Sequence, residues 1–143
     1  MRAGKRAFSS TSSAIVLRDG KPILALGAAG GPTVITQTVI NLVGVLDLGL
    51  RLDDALAQKR FHHQWQPDEL RIEKNWPDPI KQQLRKLGHK MAPVQQVGAS
   101  NAVGQTDGLF FGASEPRVPG HWRAAFKHHS VGATTAAPLA RIA

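Results

Sequence analysis

Residues 13–32 read SAIVLRDGKPILALGAAGGP, and this stretch decides the architecture of the chain. Two apolar, partly β-branched runs flank the Asp-Gly pair at 19–20, which is the strongest short-range signal for a β-hairpin. We therefore predict two antiparallel strands, over about residues 12–18 and 21–27, with bounds good to a few positions. A glycine-rich stretch follows the second strand directly.

The segment after this stretch has the pattern of a helix. Pro32 is suited to a first helical turn, and apolar residues recur at helical spacing over residues 33–48, so we predict a largely buried helix that Gly49 ends. Residues 61–67 have no regular pattern. Further helices are predicted at 54–59 and 80–87, and further strands at 69–74, 89–94, 99–104 and 109–113. Strands at both ends with helices between them indicate an α+β fold, with helices packed on a sheet.

Composition excludes several classes of site. The chain has 143 residues, a net charge of +8 and no cysteine, which excludes disulfides, thiolate zinc sites and a cysteine nucleophile. The His pairs at 62–63 and 128–129 are adjacent in sequence, so their side chains diverge, and we predict no metal site and no cofactor. Thr, Gln and Asn interrupt the uncharged residues 32–46, so no membrane span is predicted, and the basic N-terminus leads into serines rather than a signal peptide.

The positive charge is concentrated toward the C-terminus. Residues 117–143 hold four basic residues and no acidic one. These charges are scattered, with few aromatic residues among them, which favours a solvated surface with a loose tail over a specific nucleic-acid site.

The glycine-rich turn is the first candidate for chemistry. Gly30 and Gly31 lie between a predicted strand and a predicted helix, where successive N–H groups and the helix N-terminus suit an anion. The stretch matches neither a P-loop nor GxGxxG, so, taken alone, a tight turn that needs positive φ is the favoured explanation. The serines at 9–13 can bind a carboxylate or cap a turn, or they form a flexible leader.

Four motifs, taken in order, carry a sharper signal. Residues 4–10 (GKRAFSS) resemble the GKRPxSS motif of the γ-glutamyltransferase family, whose members are also called γ-glutamyltranspeptidases or glutathione hydrolases. Residues 27–33 (GAAGGPT) resemble its GSPGG motif, residues 60–70 (RFHHQWQPDEL) its RFHHQWLPDEL, and residues 112–117 (GASEPR) its GASDPR. Ala29 stands where the family often has Pro, which is expected to loosen the glycine turn. The resemblance covers residues 4–117.

The resemblance implies a fold and a reaction. The family belongs to the N-terminal-nucleophile hydrolases, with stacked α-β-β-α layers, and a precursor that cleaves itself into a large and a small subunit. The new N-terminal Thr of the small subunit attacks a γ-glutamyl amide, as in glutathione, and the acyl group passes to water or to an amino acid. By motif, Ser9 and Ser10 would hold the substrate α-carboxylate, while Gly30 and Gly31 would form the oxyanion hole.

The resemblance also implies what these residues lack. We expect residues 1–117 to be the C-terminal part of a small subunit, without its first strands, its Thr segment or the large subunit, and residues 118–143 to be an unrelated, disordered basic tail. Such a chain would be a partial N-terminal-nucleophile fold that is inactive alone. Complete relatives are usually periplasmic, secreted or membrane-attached, whereas this sequence leaves localisation open.

Two alternatives stay open at this point. The chain could complement a separately encoded, Thr-bearing piece, so that only the pair is active. It could instead be a non-enzymatic basic binding protein that contacts nucleic acid through residues 118–143, although no recognition motif accompanies that charge.

Overall fold

The computed structural model describes residues 4–6, 9–106, 108–119 and 123–127, the last range as backbone only. Within these residues strands lie at both ends of the chain and the helices lie between them, as in the predicted α+β fold. The order is β1 (Ala14–Arg18), β2 (Lys21–Ala29), α1 (Thr33–Leu46), α2 (Leu52–Ala57), β3 (Phe61–His63), β4 (Leu70–Glu73), α3 (Asp78–Lys86), β5 (Met91–Val94), β6 (Ala99–Thr106), β7 (Leu109–Ala113) and β8 (Arg123–Lys127).

The larger sheet is antiparallel, with strand order β1-β2-β6-β7-β8. Its first hairpin is the predicted one, and it turns at Asp19 (φ 50°) and Gly20 (φ 76°). Positive φ at both central residues is what a tight turn between right-twisted strands needs. The predicted hairpin between β6 and β7 is confirmed as well, with Thr106 paired to Leu109.

One face of this sheet packs under α1 and α2 and forms the core. Leu24 and Phe111 from the sheet meet Val45 and Leu56 from the helices, and all four side chains are buried. The prediction that α1 is largely buried was wrong for most of its apolar stripe. Four of its apolar side chains are exposed by 41–53%: Ile35, Val39, Val43 and Leu46.

The smaller sheet has the order β3-β4-β5 and was predicted only in part. Its β4 and β5 are parallel, and α3 provides the crossover that a parallel pair needs. The three-residue β3 lies in the segment that the sequence analysis left irregular. It pairs antiparallel with β4, with Phe61 opposite Ile72.

The C-terminal part of the described chain adds a strand that the sequence analysis did not predict. β8 pairs with β7 at the edge of the larger sheet, and it lies within the segment 118–143 that was assigned to a separate tail. Residues 120–122 and 128–143 lie outside the described residues, so the proposed boundary at 117 stays a prediction. No helix in the described part of the chain is long and apolar enough to cross a membrane.

Candidate active site

The glycine turn directs two carbonyl groups toward α1. Gly30 (φ 139°) and Gly31 (φ 60°) connect β2 to α1. The Gly30 carbonyl accepts from the Thr33 hydroxyl at 2.9 Å and from its N–H at 3.4 Å, while the Ala29 carbonyl accepts from Gln37 Nε2 at 3.1 Å. In a planar trans peptide the N–H points opposite to the carbonyl. The N–H groups of Gly30 and Gly31 therefore both point away from these helix contacts.

Two outward N–H groups in succession form a small concave donor surface. Such a surface, next to the N-terminus of a 14-residue helix, attracts negative charge. Positive φ at both glycines makes this arrangement of the turn possible, and the binding of an anion there stays a prediction.

Close packing holds the turn from behind. A Cβ placed on Gly30 would lie 3.0 Å from Gly98 Cα and 3.2 Å from Gln37 Nε2, whereas one on Gly31 would meet nothing within 4 Å. Gly98 itself has φ 63° and sits against both the Gln37 amide and the Ala29 carbonyl. One side of the turn is therefore fixed by its neighbours, while the other side is open.

Gln37 uses all of its hydrogen-bonding capacity in this packing. Its side chain is fully buried, and its Nε2 donates to the Ala29 carbonyl and, at 2.9 Å, to Thr33 Oγ1. Its Oε1 accepts from Arg60 Nη1 at 3.2 Å and from Ser100 Oγ at 2.9 Å. Since a guanidinium only donates and a carbonyl only accepts, these partners fix the orientation of the amide.

A buried cluster of four charges lies behind Gln37. Arg60 Nη2 contacts Glu115 Oε2 at 2.8 Å, and Arg117 contacts Glu115 at 2.6 Å and Glu73 at 3.2 Å. Glu73 also accepts the backbone N–H groups of Arg60 and Val97. Two guanidinium groups and two carboxylates balance in charge, as buried ions must.

The surroundings of the cluster shift two pKa values. Burial lowers the pKa of Arg60, and the charge of Glu115 offsets part of that shift. Burial by itself raises the pKa of Glu115, but the hydrogen bond from Arg117 and the charge of Arg60 outweigh it, so this pKa lies below its ordinary value. The Glu115 carboxyl is accordingly ionised at neutral pH.

The predicted serine pair lies in the segment that leads into β1. Ser9 is exposed and its hydroxyl donates to Thr11 Oγ1 at 2.9 Å, while Ser10 is half-buried. Thr38 of α1 donates to the Ser12 carbonyl at 2.9 Å, which ties this segment to the helix that the glycine turn starts. The convergence of both serines with the glycine N–H groups stays a prediction.

The register of the first hairpin bears on that prediction. Ala14 pairs with Leu26 in an unbroken antiparallel register that runs to Val16 and Leu24. The strand pairing ends at Ala14; the same register, if it continued toward the N-terminus, would bring Ser10 opposite Gly30. Ser13 still follows it, since its Oγ lies 3.5 Å from a Cβ placed on Gly27.

The histidine segment packs against α1 and leaves no described metal cluster. His62 is buried between Thr36 Oγ1 and Gln64 Oε1, each 2.8 Å from one ring nitrogen. These contacts give His62 a packing role, whereas Trp65 is 76% exposed. Within the described ranges no group of three or more His, Cys, Asp or Glu side chains could hold a metal ion.

The residues that support the turn were not predicted from the sequence. Arg60, Glu115 and Arg117 lie inside the quoted motifs, but their burial and mutual contacts leave no trace in a pattern of residues. Gln37 had one available signal: it is a polar residue at helical spacing among the buried positions of α1, between Val34 and Asn41.

Comparisons with known proteins identify the family of the chain. The sequence matches the family model described as Gamma-glutamyltranspeptidase over residues 1–125. The chain belongs to the γ-glutamyltranspeptidase family. It is 43% identical over 115 residues to the glutathione hydrolase proenzyme of Escherichia coli, a match that covers 79% of this chain and 20% of that protein. The family is enzymatic, since curated relatives of the chain are glutathione hydrolases. The chain spans about a fifth of the length of two of these curated relatives.

Solved structures of the family have the same fold. The γ-glutamyltranspeptidase of Helicobacter pylori superimposes with a TM-score of 0.77 at 37% identity, covering 82% of this chain and 66% of that one. A cephalosporin acylase from Bacillus halodurans matches with a TM-score of 0.71 at 24% identity, covering 80% of this chain and 22% of that one, which shows the fold alone. The expected α+β, partial N-terminal-nucleophile hydrolase fold is confirmed.

The packing behind the turn predicts that alanine destabilises the fold more at Gly98 than at Gly108, although both glycines have positive φ. Gly98→Ala and Gly108→Ala both carry the backbone penalty of about 1–2 kcal/mol for a Cβ at positive φ. Only Gly98→Ala also forces a Cβ to within 2.6 Å of the Ala29 carbonyl. We expect Gly98→Ala to lose about 1–3 kcal/mol more free energy of unfolding in urea. Equal losses would contradict the tight packing.

The depressed pKa of Glu115 predicts a specific pH dependence. Because the folded-state pKa lies below that of a free glutamate, the carboxylate stabilises the fold above about pH 4–5, and this contribution is lost as the pH falls through the folded-state pKa. Glu115→Gln should lower stability at pH 7 by about 3–5 kcal/mol, since Arg60 loses a buried partner. Its stability should also fall less steeply on acidification.

Unfolding curves between pH 3 and 7 measure both effects. Glu69→Gln is the matched control, because this carboxylate makes only a surface ion pair with Arg71 at 3.6 Å. That variant should differ from the parent by less than about 1 kcal/mol. An acid dependence of Glu115→Gln as steep as that of the control would refute the assignment.

Proposed function

We propose that this chain contributes the anion-binding part of a γ-glutamyl site. In this proposal the N–H groups of Gly30 and Gly31 stabilise the oxyanion, while Ser9 and Ser10 bind the α-carboxylate. The enzyme cleaves γ-glutamyl amide bonds, as in glutathione and its conjugates, and transfers the acyl group to water, amino acids or peptides. The observation that carries the proposal is the pair of outward N–H groups on a turn whose carbonyls are held from behind.

The chemistry needs such donors. Attack on a γ-glutamyl carbonyl turns its oxygen into an oxyanion, and one donor aimed at that oxygen contributes about 2.7–4 kcal/mol in the transition state. Donors that are fixed before the reaction need no reorganisation during it. The contacts of Gln37 and Thr33 with the turn supply that rigidity.

The nucleophile in this proposal is the N-terminal Thr that the family resemblance implies, activated by its own α-amino group. None of the 143 residues matches the family's Thr segment, so this segment and the large subunit are the proposed partners. They could belong to the same protein or be separately encoded.

The 143-residue chain by itself is therefore expected to have no γ-glutamyltransferase activity. Purified chain incubated with γ-glutamyl-p-nitroanilide should release no p-nitroaniline above background, because the Thr segment that forms the acyl-enzyme in the proposal is not among these residues. Turnover by the chain that disappears in Ser10→Ala would contradict this expectation.

A chimera tests the proposed role of the serines. In the Escherichia coli relative, the aligned 115-residue segment is replaced by the matching residues of this chain. We expect this chimera to hydrolyse γ-glutamyl-p-nitroanilide. Ser10→Ala should lower kcat/KM by about 10-fold to 100-fold, mainly through KM, since a hydrogen bond to a charged group contributes about 1.5–3 kcal/mol.

The control for this test is Ser13→Ala, an exposed serine in the same segment. It should leave both kinetic constants within about twofold of the parent, as surface substitutions away from a site do. A folded chimera without activity, or one in which Ser9→Ala and Ser10→Ala together change nothing, would argue against the proposed site.

A further inference from the structure

We propose that Gln37 is a positioning residue that sets the direction of the Gly30 and Gly31 N–H groups. The inference rests on the proposed function for its chemical meaning, because those N–H groups are the proposed oxyanion donors. Its structural basis is separate, since Gln37 lies behind the turn, where it bonds directly to the Ala29 carbonyl and reaches the Gly30 carbonyl through the Thr33 hydroxyl.

One amide group controls both peptides of the turn. Gln37 Nε2 donates directly to the Ala29 carbonyl at 3.1 Å, which fixes the peptide that ends in the Gly30 N–H. The same nitrogen donates to Thr33 Oγ1 at 2.9 Å, and that hydroxyl in turn donates to the Gly30 carbonyl at 2.9 Å. This second contact fixes the peptide that ends in the Gly31 N–H. Glycine peptides rotate at little steric cost, so these bonds decide their direction.

The position of Gln37 is itself fixed by the buried charges. Arg60 Nη1 and Ser100 Oγ occupy its Oε1, and the Arg60 guanidinium is held in turn by Glu115. The amide therefore cannot rotate to present its oxygen to Ala29 without leaving a buried guanidinium N–H unpaired, which is costly. The glycine turn is thus coupled through one side chain to the buried charge cluster that Arg60 and Glu115 belong to.

Glutamate at this position separates the two functions of the side chain. A carboxylate keeps the acceptors for Arg60 and Ser100 but has no hydrogen to donate to the Ala29 carbonyl or Thr33. Two facing oxygens repel, so the Ala29–Gly30 peptide is expected to turn and its N–H to leave the open side. Gln37→Met removes the same donors without adding charge, but it also removes the acceptor for Arg60 and Ser100, so it serves as the second variant beside glutamate.

The control substitution is Asn41→Leu. Asn41 lies one turn further along the buried face of α1, is 1% exposed, and its side-chain atoms have no hydrogen-bond partner. Replacing it removes a buried amide from the same helix without touching the turn.

The experiment follows the backbone amides of the full 143-residue chain by NMR while L-glutamate is added. In the parent and in Asn41→Leu, the Gly30, Gly31, Ser9 and Ser10 resonances should all shift. In Gln37→Glu and Gln37→Met the glycine shifts should fall below about a fifth of the parent value, because an N–H turned away from the ligand makes no hydrogen bond. The serine resonances should still shift, which a general loss of structure would not allow.

The outcomes separate this inference from the proposed function. Glycine responses in both Gln37 variants that equal those of the parent would overturn the positioning role and leave the proposed site intact. If L-glutamate shifts no resonance of the parent, the proposed function fails instead. The positioning role is then decided by the ligand-free spectra: altered Gly30 and Gly31 amide shifts in the variants, with Asn41→Leu like the parent, support it, and unaltered shifts overturn it.

Discussion

The buried guanidinium group of Arg60 is the constraint on which the rest of this structure depends. A fully buried cation requires partners, and it finds them on four separate segments: Gln37 of α1, the Leu56 carbonyl of α2, the Val97 carbonyl before β6 and the Glu115 carboxylate after β7. Elements far apart in sequence are therefore held together by the charge of one residue. Hydrophobic contacts in the core under α1 have no preferred direction. Ion pairs and hydrogen bonds do, so the contacts of Arg60 fix the relative positions of the segments.

The glycine turn gains its geometry from this arrangement. Glycine has the widest choice of backbone dihedral angles of any residue, so the glycines alone do not determine which way their peptide groups point. Direction comes from the hydrogen bonds between Gln37, Thr33 and the two carbonyls, and from the close approach of Gly98. The hydrogen-bond network behind the turn thus holds intrinsically flexible glycine peptides in one orientation. Preorganised donors of this kind are what oxyanion stabilisation requires.

Local signals predicted the fold well where one segment decides its own structure. Asp19-Gly20 fixes the first hairpin, and helical spacing fixes α1. The strand Phe61–His63 escaped prediction because three residues have no period, and it is a strand only through its pairing with β4. The exposure of the outer apolar side chains of α1 was not predicted, because residue spacing shows that a helix is apolar but not which of its faces packs against other elements. For the site, composition indicated the Gly30–Gly31 turn, whereas Gln37 and the charge cluster depend on contacts between distant segments.

The most direct test of the account is a crystal structure of the chain with L-glutamate. We predict that one carboxylate lies within about 3 Å of the Gly30 and Gly31 nitrogens, while the other lies at a similar distance from the Ser9 and Ser10 hydroxyls. A ligand bound elsewhere, or the serine pair on the opposite side of the sheet from the glycine turn, would contradict it.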